Sequence, residues 1–477
     1  MSIYTKPPLN NSAPTATPEF LAALIQIVGE QRVRSDPADC WPYGYDNSRR
    51  HALPEWVVFA LTHEEVRDLV RLCNKARVPI VPRGRGTGTT GATVPISGGL
   101  VLSLERMNRI RMLDPTNRAM VVEPGVTNQE VQIAAGQQGF FWPPDPTSAA
   151  FCTLGGNLAY NSAGPRAVKY GTPRENVLAL RAVTGAGEEF RCGTYTTKGV
   201  VGYDLTRLLI GSEGTLAIIT EATLRLTPLP EAKRTLRAAY KDTESAGQAV
   251  ADLMSQPLTP CALELMDRQA VTLVQAQGGI ELPPGTGALL MIEVDGPATA
   301  MEDAVTQLKK AAHNAGLLEI VAARTPQESK QLWAARKALS PALRTLAPKK
   351  INEDVVVPVS HLPALISGLE RLAKEFAITI VNFGHAGNGN LHVNLLTDPD
   401  EPTERERTKK CLEQVFKLVL SLKGSLSGEH GVGLEKRDFV AQELDPAALN
   451  LMERLKAQFD PQGILNPQKT LPLKTST

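Results

Sequence analysis

Charge of one sign is the first thing this chain lacks: 51 Lys and Arg stand against 50 Asp and Glu, a formal net charge of +1. With no global basic field and no long basic run, nucleic acid is set aside as a partner. Long apolar runs are lacking too. No stretch of about 18 consecutive apolar residues occurs, so no transmembrane helix is expected and any membrane contact would be peripheral. The N-terminus has neither the charged start nor the apolar core of a secretory signal. Cysteine is sparse, six residues at positions 40, 73, 152, 192, 261 and 411 with no C-x-x-C pair. That excludes a disulfide framework and a thiolate zinc site, suits a reducing compartment, and leaves each thiol as a small buried side chain. Histidine is scarce, and none of the seven lies between His63 and His313. What is present is an ordinary soluble mix, 42% hydrophobic and 21% charged, with enough Gly (38) and Pro (35) to imply many turns. A chain of 477 residues implies about two to four domains.

Residues 1–18, polar and Pro-rich, read as a disordered leader. Helical spacing follows from Phe20. Trp56 to Ala60 and Val78 to Val81 read as strands on either side of a helix that Thr62 and Glu65 open as a capping box and that runs to about Ala76. From Gly84 to Thr227 short apolar runs alternate with Gly and Pro, with few helices such as Thr127 to Gln138. That pattern predicts an α+β domain with many strands. Leu226 to Glu231 reads as a linker. Beyond it the order strand, helix, strand suggests a ferredoxin-like sandwich. The tail from about Leu444 is helical. The expected divisions are therefore 19–228, 229–443 and 444–477.

The segment Pro82-Arg83-Gly84-Arg85-Gly86-Thr87-Gly88 continues to Gly91 and contains G-x-G-x-x-G. A Rossmann loop must open a helix, and Ala92 to Gly99, with Pro95 inside, does not. Two readings remain: a Gly-rich hairpin without a ligand, and a nest of successive backbone N–H groups converging on an anion such as a diphosphate. Two further small-residue segments follow. One runs from Pro144, Asp145 and Thr147 through Thr153, Gly155, Gly156 and Asn157 to Asn161, Ser162 and Gly164. The other runs from Gly211 through Glu213 and Gly214 to Ile218 and Ile219. Such segments suit a large planar ligand lying against backbone. The order P-x-G-x-G-T-G, P-D-P-T, T-L-G-G-N, N-S-A-G and S-E-G-T-L, from about Pro54 to Pro228, resembles the FAD-binding domain of the vanillyl-alcohol-oxidase-type flavoproteins. The resemblance implies FAD, its diphosphate over Arg83 to Gly88 and its ring system near Pro144 to Gly164. Because the domain has no His after His63, attachment is expected to be non-covalent, with Cys152 the awkward candidate.

The stretch Ile378 to Leu395 contains Asn388-Gly389, the strongest two-residue hairpin signal. That turn would set residue 387 against 390 and His385 against His392, with Cβ atoms about 4.5–5.5 Å apart on one face. A bulge at Gly387 or Gly389 would shift the register. Two imidazoles so placed can chelate a metal, and Asn394 shares their face. Gly428-Glu429-His430-Gly431 offers a third ligand in Glu429, giving the His, His, carboxylate set of a catalytic zinc site, and leaves His430 as a base. Zn²⁺ is favoured, with Mn²⁺ and Fe²⁺ also compatible.

These residues carry a second resemblance. F-G-H-x-G-N-G-N-L-H followed by S-G-E-H-G-V-G looks like the C-terminal domain of the FAD-linked 2-hydroxy acid dehydrogenases, which act on D-lactate, glycolate or D-2-hydroxyglutarate. It implies an α+β chain with a two-part FAD domain, a ferredoxin-like substrate and metal domain, and a helical tail returning to the flavin. It implies His385, His392 and Glu429 as metal ligands and His430 as the base. Arg336, in Trp333-Ala-Ala-Arg336, would anchor the substrate carboxylate. Ser340, Lys350 and Asn394 would contact substrate. Asn466 would neighbour the flavin, although Gln468 stands where the pattern has Gly. D-lactate is favoured, with glycolate and D-2-hydroxyglutarate as alternatives. The electron acceptor is a quinone, a cytochrome or an electron-transfer flavoprotein. The expected setting is the cytoplasm or the periphery of the inner membrane, with a homodimer if the chain associates. Two other classes stay open on the residues alone: a metal-dependent hydrolase and a non-catalytic nucleotide-binding module.

Overall fold

In the computed structural model, which describes residues 17–276, 281–398 and 400–473, the apolar runs between Gly and Pro become strands of four sheets. The leader expected over 1–18 falls, apart from Thr17 and Pro18, outside the described residues. Pro18 opens the helix Pro18–Val28, capped by the Thr17 side chain.

The first sheet has the order β1 (Val33–Arg34), β2 (Trp56–Phe59), β4 (Leu100–Ser103), β3 (Ile80–Arg83). β4 runs parallel to both neighbours. The helix His63–Ala76 makes the crossover from β2 to β3. It starts where expected because the Thr62 hydroxyl accepts the Glu65 N–H and the Glu65 carboxylate accepts the Leu61 N–H. The second sheet is antiparallel, in the order β5 (Ile110–Asp114), β6 (Ala119–Val122), β10 (Ala217–Arg225), β8 (Val177–Thr184), β9 (Glu189–Gly193). A short pair joins β7 (Phe140–Phe141) to β11 (Thr227–Pro228).

The remaining strands form one seven-stranded sheet. They are β12 (Ala232–Tyr240), β13 (Ala262–Met266), β14 (Ala288–Gly296), β15 (Leu317–Ala322), β16 (Lys349–Val356), β17 (Thr379–Gly384) and β18 (Asn390–Thr397), in the order 15-12-14-13-17-18-16. The first four of that order are the ferredoxin-like arrangement read from sequence, and β17, β18 and β16 extend it. Every pairing in the sheet is antiparallel. Strand alternation divides its faces. Leu236, Leu263, Leu265, Ile292, Leu391 and Val393 point into one core with the helices Thr243–Ser255, Met301–Ala311, Leu362–Phe376 and Pro402–Ser421. The opposite face carries Glu264, Phe383, His392, Asn394, Asp354 and Lys350, because their paired positions alternate with the core residues. The polar chemistry is thus concentrated on the face without the large helical core.

The helix Pro446–Phe459 is followed by a chain that returns to the first sheet: Ile80 N–H donates to Ile464 O and Asn466 N–H to Ile80 O, each at 2.8 Å. Among the described residues no helix is long and apolar enough to cross a membrane.

Candidate active site between the glycine-rich loops and the seven-stranded sheet

The histidine pair is present, but its register differs from the expected one. His392 faces Phe383 rather than His385, because the turn is five residues long, 385–389, with a 3₁₀ stretch Ala386–Asn388, and not a two-residue Asn388-Gly389 loop. Gly389 has φ 72°, and a Cβ there would lie 1.8 Å from Val357 O. Gly389→Ala is therefore expected to destabilise the domain by more than the ~1 kcal/mol of a simple left-handed alanine, read as a lower midpoint in urea unfolding. Lying beyond the strand end, His385 still reaches its partner. The His385 and His392 rings are 5.2 Å apart between centroids, at 86°.

Three donor atoms converge. His385 Nε2 is 3.2 Å and His392 Nε2 3.7 Å from Glu429 Oε1. A four-coordinate ion with bonds of about 2.0–2.2 Å places its ligand atoms roughly this far apart, so the donor set fits a divalent ion. His430 stacks on His392 with centroids 5.0 Å apart, and its Nε2 is 3.9 Å from Glu429 Oε1. The Nδ1 atoms of His392 and His430 are buried without a protein hydrogen bond. Potential donor atoms of Asp354, His392, Glu429 and His430, a set without His385, all lie within 4.8 Å of one another, but the geometry of Asp354 is that of an orienting group. Its Oδ1 is 3.8 Å from the far nitrogen of His392, Nδ1. Its Oδ2 accepts the N–H groups of Gly428, Glu429 and His430 at 2.8, 2.7 and 2.9 Å. One carboxylate thereby shapes the whole loop that carries Glu429 and His430.

The charges here are interdependent. Burial opposes a charge on His385, but the carboxylates of Glu264 and Glu429 outweigh it and raise the imidazole to about 10. Burial and the neighbouring His430 and His385 push His392 down to about 3. Burial alone would raise the Glu429 carboxyl, yet His385 and His392 hold it well below its ordinary value.

Arg336 and Ser340 are four residues apart on the helix Pro326–Ala342 and so share a face. Arg336 is buried, with Nε 2.7 Å from Glu264 Oε2 and its guanidinium carbon 4.7 Å over the Phe383 ring. The Ser340 hydroxyl accepts from Lys350 Nζ at 2.6 Å. Burial, with Arg344 and Arg49 nearby, lowers Lys350 to about 8. Asn394 is fully buried and committed. Its amide donates to Val381 O and His392 O and accepts from Asn352, which ties strands together.

The glycine-rich loops lie alongside. A Cβ at Gly84 would fall 2.3 Å from Thr153 Oγ1 and one at Gly88 2.6 Å from Tyr160 Oη, so the loop presses on the segment 153–160. The backbone N–H groups of residues 85–89 make no hydrogen bond to protein among the described residues, which fits an anion cradle. Arg83, expected as part of the diphosphate loop, uses its side chain within the protein. Its guanidinium folds beneath the loop to Tyr45 O (2.7 Å) and Thr93 Oγ1 (3.3 Å), and Arg85 is exposed. Pro82 packs against Gly214. Thr153 caps the helix Leu154–Tyr160, which contains Gly155, Gly156 and Asn157, and Asn161 ends it in a left-handed conformation. Thr147 is exposed beside the buried Pro144. Asp145 pairs with Arg166 while its Oδ1 is buried without a partner, and burial raises its carboxyl to about 6. This run of open N–H groups and the orphaned carboxyl oxygen fit a bound flavin nucleotide. Ile218 and Ile219 face opposite cores and offer only backbone. Cys152 is buried with its thiol raised by desolvation, which does not favour covalent attachment.

Several of these residues bind the loops to the sheet. Gly164 N–H donates to Glu429 Oε2 at 2.8 Å and the Ser162 hydroxyl to Glu429 O at 3.3 Å. Glu213 accepts the N–H groups of Val432 (2.5 Å) and Gly433 (2.8 Å), while Asn466 Nδ2 donates to Glu213 O at 2.7 Å. The site therefore sits at a seam between two parts of the fold, where ligand sites commonly lie. Sequence reasoning missed Glu264 and Asp354. Each left one signal, a carboxylate inside a run of residues that becomes a buried strand.

Residues 229–470 match the family model described as FAD linked oxidases, C-terminal domain, and residues 54–193 match the FAD binding domain. The chain is 37% identical over 454 residues to glycolate oxidase subunit GlcD of Bacillus subtilis, covering 95% of this chain and 97% of that one. It is 37% identical over 426 residues to D-lactate dehydrogenase of Anaerostipes hadrus, covering 88% and 90%. Among solved structures, p-cresol methylhydroxylase with substrate bound superposes with a TM-score of 0.78 at 18% identity, covering 96% of this chain and 98% of that one. That likeness gives the vanillyl-alcohol-oxidase-type fold. With an FAD domain matched, the metal-hydrolase and nucleotide-module readings are not carried forward.

Proposed function

The chain belongs to the FAD-linked oxidases and is an FAD-dependent oxidoreductase, and from that premise we propose that it oxidises a small D-2-hydroxy acid to the 2-oxo acid. The observation that carries this reading is the buried guanidinium of Arg336 and the His, His, Glu donor set, joined through Glu264, which bonds both Arg336 and His385. A 2-hydroxy acid presents a carboxylate and a hydroxyl on adjacent carbons, and these are the groups that such a pair receives. The names of relatives, a glycolate oxidase subunit and a D-lactate dehydrogenase, support the same class. D-lactate and glycolate stand first, ahead of D-2-hydroxyglutarate.

Bound FAD supplies the two-electron acceptor, and a divalent ion, zinc before manganese or iron, supplies charge stabilisation for the ionised hydroxyl. His385, His392 and Glu429 would hold that ion. Arg336 fixes the carboxylate with the nitrogens that Glu264 leaves open, which sets the orientation of the reacting carbon. His430 takes the hydroxyl proton at Nε2, the ring atom beside Glu429.

Anaerobic mixing with D-lactate, L-lactate, glycolate and D-2-hydroxyglutarate tests this. The flavin band near ~450 nm is expected to bleach with a D acid or glycolate and to persist with L-lactate. A flavin-loaded protein that none of the four bleaches would reject the substrate class.

A further inference from the structure

Glu264 stands in β13, a strand whose residues are all buried, and its side chain is 1% exposed. β13 pairs on both sides, with β14 and β17, so the backbone under Glu264 has little freedom. The two carboxylate oxygens serve two different partners. Oε1 is 2.5 Å from His385 Nδ1 and Oε2 is 2.7 Å from Arg336 Nε. Neither partner belongs to β13. His385 comes from the turn after β17, and Arg336 from the helix Pro326–Ala342.

We propose that Glu264 is a positioning residue that fixes the spacing between the guanidinium that anchors the substrate carboxylate and the imidazole that holds the ion, and thereby selects acids with the hydroxyl on the carbon next to the carboxylate. The proposal rests on the function proposed above. On the His385 side, a hydrogen bond from Nδ1–H to a carboxylate fixes the ring orientation, so Nε2 faces the Glu429 side of the site, 3.2 Å from Oε1, where a bound ion would take the place of its proton. On the Arg336 side, engaging Nε leaves the two terminal nitrogens for a substrate carboxylate, while the Phe383 ring 4.7 Å below holds the plane. One short, rigid carboxylate therefore ties two binding elements that arise 49 positions apart in the chain, Arg336 and His385. A 3-hydroxy acid has one more methylene between its carboxylate and its hydroxyl, so a fixed spacing makes it the poorer substrate.

The test uses full-length, flavin-loaded protein stripped of metal, as wild type, Glu264→Gln and Glu264→Asp. Gln keeps the shape and removes the charge. Asp keeps the charge and shortens the reach by one methylene, and it keeps the question answerable if Gln does not fold. Zn²⁺ affinity, measured by competition with a chromophoric chelator, is expected to fall by about 10- to 100-fold. After reloading with Zn²⁺, KM for glycolate is expected to rise by about 10-fold or more, the size of one charged hydrogen bond. The preference for glycolate over 3-hydroxypropionate is expected to narrow, which a loss of folded protein would not produce. Wild-type Zn²⁺ affinity, KM and preference ratio in both variants would overturn the proposal. So would losses in proportion to a fall in folded fraction by circular dichroism, with the ratio unchanged. If wild type itself takes up no Zn²⁺, the ion-dependent reading above fails instead, and the two failures are distinguishable.

Discussion

Replacing His430 by alanine is expected to slow anaerobic bleaching of the flavin by substrate by about 100- to 10,000-fold, the range of a general base, with the flavin absorbance of the resting protein unchanged. The variant isolates the ring from the loop, because the main chain at 430 is held independently of the side chain. Its N–H donates to Asp354 and its carbonyl accepts from the Thr90 hydroxyl. The ring itself makes no hydrogen bond through Nδ1; it stacks on His392, with Nε2 3.9 Å from Glu429 Oε1. Loss of the ring thus removes the proposed proton acceptor beside Glu429 while leaving the proposed ligands His385, His392 and Glu429 in place. Stopped-flow bleaching with glycolate or D-lactate measures the effect. An unchanged rate would remove His430 from the role of base and leave the proton to another group.

Much of the site is legible in the sequence where short-range chemistry sets the structure. Thr62 and Glu65, or Thr127 and Glu130, announce their helices because a cap is satisfied within four residues. His385, His392, Glu429 and His430 announce a site because imidazole is rare and glycine flanks it. The register of the hairpin was not legible. Asn388-Gly389 fits a tight two-residue turn, but the Gly389 carbonyl accepts the N–H of Val357, on the far side of β18, and that tertiary bond helps settle where the turn ends. The role of the Arg83 side chain was not legible either, because its acceptor, the carbonyl of Tyr45, lies 38 positions away. Glu264 and Asp354 were missed because their partners come from other elements, and no local pattern encodes such a meeting.

The largest structural effect is expected from Asp354→Ala. Asp354 is fully buried on β16, directly opposite His392, and accepts five hydrogen bonds: three from the N–H groups of residues 428–430, one from Asn390 Nδ2 at 2.6 Å, and one from the Ser427 hydroxyl at 3.3 Å. Alanine leaves the N–H groups of Glu429 and His430 without an acceptor, at about 1–3 kcal/mol for each, while Ser427, Asn390 and Gly428 keep Gly431 O, Val355 O and the main-chain carbonyl of residue 354. The loop that presents Glu429 and His430 would then lose its template, so metal uptake and activity should fall together with stability. That distinguishes Asp354 from His430, whose loss should affect rate alone. The acid side gives an independent check. Burial would raise the Asp354 carboxyl, but His430, Lys436 and His392 hold it well below its ordinary value. A group depressed in the folded state contributes stability that is fully present above its unfolded pKa, about 3.9, and that is lost as pH falls through the folded value. Wild type should therefore shed stability below about pH 4, and Asp354→Ala should show a smaller acid-dependent loss in urea titrations taken from pH 6 to pH 3. Equal acid-dependent losses in the two proteins would mean that this carboxylate is not what holds the catalytic loop at low pH.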